Sequence, residues 1–152
     1  MRAWLLAPVL LVSGLANAEP GYIDAETIRD AVYMMLGMET VVEAQYVECS
    51  TRLPQHDKAY GDMLWKWKVD ANRALIAAND LTAIMTVAQT KELDEALQLG
   101  RDTAVGILDK RFADSQGEAF CSTIFADLAS SAWRDRWPNM YEILEVYSAS
   151  AE

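Results

Sequence analysis

Histidine occurs once in 152 residues and cysteine twice. A single histidine, His56, leaves no H-x-x-x-H pair, no paired E-x-x-H set for a di-iron centre and no histidine-rich zinc site. Cys49 and Cys121 lie too far apart for a C-x-x-C redox pair or a C-x-x-C-H haem attachment. Neither a metal nor a cofactor is therefore expected. Phosphate-binding loops, nucleophile elbows and catalytic dyads at recognisable spacing are missing as well, so no catalytic residue is assigned and a non-enzymatic role is expected. Basic residues are scarce: 13 Lys and Arg stand against 23 Asp and Glu, a net charge of −10. A chain of that sign repels phosphate backbones and anionic lipid surfaces, which argues against nucleic acid and membrane-surface binding. It suits solubility or a basic partner. Period-2 strand patterns, internal repeats and linkers long enough to divide domains are also absent from the sequence.

What is present begins with the features of an export signal at residues 1–18. Arg2 supplies the positive end, and Trp4 to Leu15 an apolar core too short to anchor in a bilayer. Ala16-Asn17-Ala18 forms the small-residue cleavage site. The mature chain is expected to start at Glu19 and to form one helical domain over 19–152, with no membrane insertion after cleavage. Loss of Arg2 leaves 12 basic residues against 23 acidic ones, a net −11. The expected destination is the periplasm of a Gram-negative cell, or otherwise the extracellular space. Thiols oxidise in such compartments, so Cys49 and Cys121 are expected to form a disulfide. Closing a loop of that length is worth about 4 kcal/mol in the chain-entropy model.

Residues 60–88 are expected to form the central helix. Read in sevens, they place Leu64, Trp67, Ala71, Ala74, Ala78, Leu81, Met85 and Ala88 on one seam. A second stripe, Trp65, Val69, Ile76 and Ala83, runs along another side and is interrupted by Asn72 and Asn79. A helix apolar on two sides normally lies between two layers of neighbours. A first helix is expected over 24–48, capped by Asp24, with Ile28, Ala31, Val32, Met35, Met38, Val42, Tyr46 and Cys49 towards the core. Residues 87–91 read as a turn, 92–112 as a third helix with acidic residues at its start and Lys110 and Arg111 at its end. Ser115-Gln116-Gly117-Glu118 has capping-box form for a fourth, and Pro138 opens a short last one.

The resulting fold class is all-α: an antiparallel four-helix up-down-up-down bundle with a short C-terminal fifth helix, stapled by one disulfide. Two registers follow. A hairpin centred on Gln89 would pair Ala78 with Gly100, and Cys49–Cys121 would set Tyr46 opposite Ile124 and Val42 opposite Leu128.

The candidate ligand or partner surface combines Trp65, Val69, Asn72, Ile76 and Asn79 with Trp133 and Trp137. Trp65 and Trp67, two positions apart, point to nearly opposite sides of a helix, so one core cannot hold both. Trp65 is expected to pack under a second layer, because Val69 and Ile76 continue its stripe; exposure to a partner is the alternative. Trp133 and Trp137 alternate with Arg134 and Arg136 and could stack or make cation–π contacts, or simply close the end of the bundle. Buried asparagines would need partners for their amides, from backbone or from a ligand. These features lead to an exported helical protein that binds another protein, possessing the character of an inhibitor, an immunity-type factor or an assembly helper. A carrier of a small apolar or amphipathic ligand is the alternative, and a hydrolase using His56 and Asp57 comes third.

Overall fold

The computed structural model describes residues 24–151, so the expected signal segment 1–18 and the expected start at Glu19 lie outside the described residues. Seven α-helices and one short 3₁₀ turn follow one another, with no strand among the described residues. They are α1 (Ile28–Arg52), a 3₁₀ turn (Pro54–His56), α2 (Asp57–Asp70), α3 (Asn72–Thr82), α4 (Val87–Ala113), α5 (Gly117–Ala129), α6 (Ala132–Arg136) and α7 (Pro138–Ala151).

The organising element is α1, not the 60–88 stretch. Its buried stripe, Ala31, Met35, Met38, Val42, Gln45 and Cys49, alternates steps of four and three, and it packs against α2, α3, α4, α5 and α7. Ile28, expected in this stripe, is exposed at the helix start. The N-cap is Thr27, whose hydroxyl accepts from the Asp30 amide while the Asp30 carboxylate accepts from the Thr27 amide. Asp24 caps a different helix. Its carboxylate accepts from the amides of Asn139 (2.9 Å) and Met140 (3.0 Å), satisfying two orphan donors at the start of α7.

The 60–88 stretch is two helices rather than one. Its seam is buried as expected from Leu64 through Trp67, Ala71, Ala74 and Ala78 to Leu81, but the helix breaks at Ala71 and ends at Thr82. At the break the Arg134 guanidinium donates to the Asp70 carbonyl at 3.0 Å, an oxygen that a continuous helix would give to residue 74. A side chain inserted into the helical ladder is a recognised cause of a kink. Beyond Thr82 the chain tightens through bonds from Ala83, Ile84 and Met85 to carbonyls three residues back. Thr86 and Gln89 then form a reciprocal capping box that opens α4 at Val87, where a turn was expected.

The expected hairpin between the central helix and its successor does not form. Gly100 faces Val41 of α1, whose Cγ2 lies 3.5 Å from where a Cβ would stand, and Ala78 is not its neighbour. The inward side of α3 is already covered by α1 and α7, so α4 lies on α1 instead. Arg29–Glu92 (2.6 Å) links the starts of α1 and α4, and Arg52–Asp109 links their ends. These pairs, with Val41 beside Gly100, keep a nearly constant offset in numbering, so the two helices run parallel.

Helix α4 closes with Gln116 N–H to Arg111 C=O (2.8 Å) and Ser115 N–H to Phe112 C=O (3.2 Å), the two bonds of a Schellman motif. Ser115 holds the left-handed position there with φ 58°. It therefore cannot also serve as the expected N-cap of α5, and Gln116 occupies that position without a side-chain cap. The disulfide Cys49–Cys121 is formed, with Cα atoms 6.0 Å apart. One turn away the Tyr46 ring meets Phe125 edge-on at 6.2 Å. Most of α5 lies along α2, where Tyr60 stacks on Phe125 at 4.7 Å and its hydroxyl meets that of Ser122 at 3.1 Å. The last helix, α7, seals the far side with Met140, Tyr141 and Leu144 fully buried.

Candidate functional site

Trp65 and Val69 project from α2, and Asn72, Ile76 and Asn79 from α3, in steps of four and three that continue across the Ala71 break. All five line one open groove of about 550 Å³, together with Leu75, Asp80 and, from α1 and α2, Glu39 and Lys68. The expectation that Trp65 packs under a second layer is corrected: among the described residues no helix covers this side. Trp65 is 68% exposed, Val69 56% and Ile76 50%. The asparagines are exposed too rather than buried. Asn79 donates its amide to the Leu75 carbonyl at 2.8 Å, which leaves its side-chain oxygen available, and the Asn72 side chain makes no hydrogen bond among the described residues.

One wall of the groove is ionic. The Lys68 ammonium sits between Glu39 (3.2 Å) and Glu43. Partial burial works against its charge, but the two carboxylates outweigh that effect and hold its pKa above the ordinary lysine value. Nothing in the heptad pattern announces this arrangement, because it joins residues from α1 and α2 that meet only in the folded chain.

Trp133 and Trp137 do not belong to this surface. They are 6% and 2% exposed, Trp133 meeting Trp67 edge-on at 6.2 Å and Trp137 at 5.7 Å. Between them the sequence places Arg134, which forms a hub. It pairs with Asp70 and with Glu145 (2.9 Å), and lies over the Tyr141 ring at 4.3 Å. The interleaving of Arg with Trp suggested a cation–π contact, and the one Arg134 makes is with the Tyr141 ring.

His56 and Asp57 are adjacent in sequence and separate in bonding. His56 Nε2 faces Glu118 Oε1 at 2.9 Å and its ring stacks on Tyr60. Asp57 accepts from the Tyr46 hydroxyl at 2.8 Å. That bond draws the Asp57 carboxyl below its usual range and pushes the Tyr46 hydroxyl up. The two residues thus do not form a dyad. Among the described residues no cluster of three or more His, Cys, Asp or Glu is placed to hold a metal ion, and no helix is long and apolar enough to cross a membrane. No protein-family model, no curated protein and no solved structure matches the chain.

Proposed function

We propose that the chain is an exported, non-enzymatic helical protein that binds another protein through the Trp65 face. The observation that carries this reading is the exposure of Trp65, Val69 and Ile76 along one line of a helix pair whose opposite side is fully buried. An aromatic side chain of roughly 200 Å² represents ~5 kcal/mol of gross burial energy by area bookkeeping. Tryptophan with aliphatic neighbours is the composition of an interface anchor. The overall charge of −10 favours a basic partner through steering and complementarity. Export is supported by the signal pattern in residues 1–18 and by the Cys49–Cys121 bridge.

A ligand carrier is the second reading, because the groove volume of about 550 Å³ falls in the range of small-molecule sites. Its openness weighs against it: carriers bury most of their ligand's surface. The hydrolase reading would need His56 and Asp57 to act together, and they engage different partners. We further propose the four-helix up-down-up-down order. The antiparallel meeting of α1 and α5 at the disulfide supports it, whereas the packing of α4 on α1 rather than on α3 counts against its four-cornered form.

The test is recovery of the protein from the cells that make it, followed by native mass spectrometry. Our reading predicts an added protein mass. A small-molecule adduct would favour the carrier, and neither adduct would contradict both.

A further inference from the structure

We propose that the occupant of the Trp65 groove is a basic amphipathic helix of the partner protein. This rests on the protein-binding reading and goes beyond it by assigning the partner's secondary structure and charge. Shape is the first argument. The lining from Trp65 to Asn79 runs along α2 and α3 for about 21 Å at the helical rise, a track as long as roughly four turns of a partner helix. Of its anchors, Val69 and Ile76 carry no side-chain group able to pair a backbone, and Trp65 offers one indole donor and no acceptor. A helix satisfies its own backbone bonds and can lie dry against them. An extended segment would leave most of its amides facing apolar side chains, with Asn72, Asn79 and the carboxylates of Glu39 and Asp80 too few to meet them all, and no strand edge is offered among the described residues.

Charge is the second argument. Glu39 and Asp80 line the groove, and Glu43 stands beside Glu39. Among the described residues the one lining cation, Lys68, is already shared by Glu39 and Glu43, so these four groups sum to a net negative wall. Lys66 and Arg73 are exposed but do not line the groove. A second copy is disfavoured on the same ground: it would bring a chain of −10 against another of −10 and set acidic walls together. The partner helix therefore carries an apolar stripe flanked by Lys or Arg on the edges that meet Glu39 and Asp80.

The probe is the full chain with p-benzoylphenylalanine in place of Ile76, irradiated in the producing cells, with the cross-linked peptide sequenced. The expected result is a partner segment with apolar residues at i, i+3/i+4 and i+7 flanked by Lys or Arg. A synthetic peptide of that segment should become helical on binding the purified protein. Paired Glu39→Gln and Asp80→Asn should weaken it about tenfold at low salt, with a smaller effect at high salt. A cross-link to a protein through an acidic or non-helical segment would overturn this proposal and leave the protein-binding reading standing. A cross-link only to a second copy, only to a small molecule, or to nothing would overturn both.

Discussion

Trp65 and Trp67 sit on the same helix, two positions apart, and meet opposite surroundings. Trp67 is 2% exposed; its Nε1 donates to the Tyr141 hydroxyl at 3.1 Å and its ring abuts Trp133. Trp65 stands out over a groove whose polar groups are carboxylates, amides and one shared ammonium. Apolar character does not distinguish the two sides of α2–α3, since both carry aromatic and aliphatic residues. What distinguishes them is the rest of the fold: α1 and α7 cover the Trp67 side, and among the described residues nothing covers the other. Burial energy has thus been used within the fold on one side and left available for association on the other.

The sharpest way to break this comparison is to truncate both rings. Trp67→Ala should cost about 3–5 kcal/mol by emptying a packed site and leaving the Tyr141 hydroxyl unpaired. Trp65→Ala should stay within about 0.5 kcal/mol. Urea denaturation measures both, and equal costs would erase the distinction. Next in size, replacing Cys49 and Cys121 together by alanine should lose about 2–4 kcal/mol through the loop that the bridge closes, while partner binding at a temperature where the variant is folded stays unchanged. Altered binding would mean that the staple shapes the exposed side after all.

Smaller again is Arg134→Lys, which keeps the charge but loses the planar fork that reaches both Asp70 and Glu145 while covering Tyr141. A loss of about 1–2 kcal/mol is expected, with faster amide exchange around Ala71, at the joint between the two halves of the groove. Unchanged exchange there would show that Arg134 does not hold the break. The smallest effect is Tyr46→Phe. The Asp57 carboxyl, lowered by the Tyr46 bond, contributes stability above its unfolded pKa and loses it as pH falls through its folded value. Tyr46, raised, contributes below its unfolded pKa and loses it as pH rises through its folded value. The destabilisation by Tyr46→Phe should therefore be full between about pH 4 and pH 10 and shrink outside that window. A pH-independent difference between the two proteins' melting temperatures would assign the effect to packing alone.

The seam from Leu64 to Leu81 was legible because helical period alone brings those positions to one side, whichever helix then covers it. The disulfide was legible from the two cysteines and the expected export signal. The fate of Trp65 was not, because a second apolar stripe describes a buried layer and a binding face equally well. The Gly100 register failed for a similar reason: a small residue accepts close approach from Val41 as readily as from Ala78. Asp24 looked like a local cap, but the helix it caps begins more than a hundred residues away, beyond any local pattern. Thr86 and Gln89 were different, since their capping-box spacing stood in plain view behind the more conspicuous acidic cluster that follows. Glu39, Lys68 and Glu43 could be brought together only by the antiparallel meeting of α1 and α2.

The central claim is that the Trp65 side serves association and not folding, and Trp65→Ser tests it in one variant. The thermal midpoint and the partner recovered from the producing cells are measured on the same preparation. The account predicts a midpoint within a few degrees of the unaltered protein and loss of the partner. A folded variant that retains its partner in full, or one that unfolds as Trp67→Ala is expected to, would contradict it.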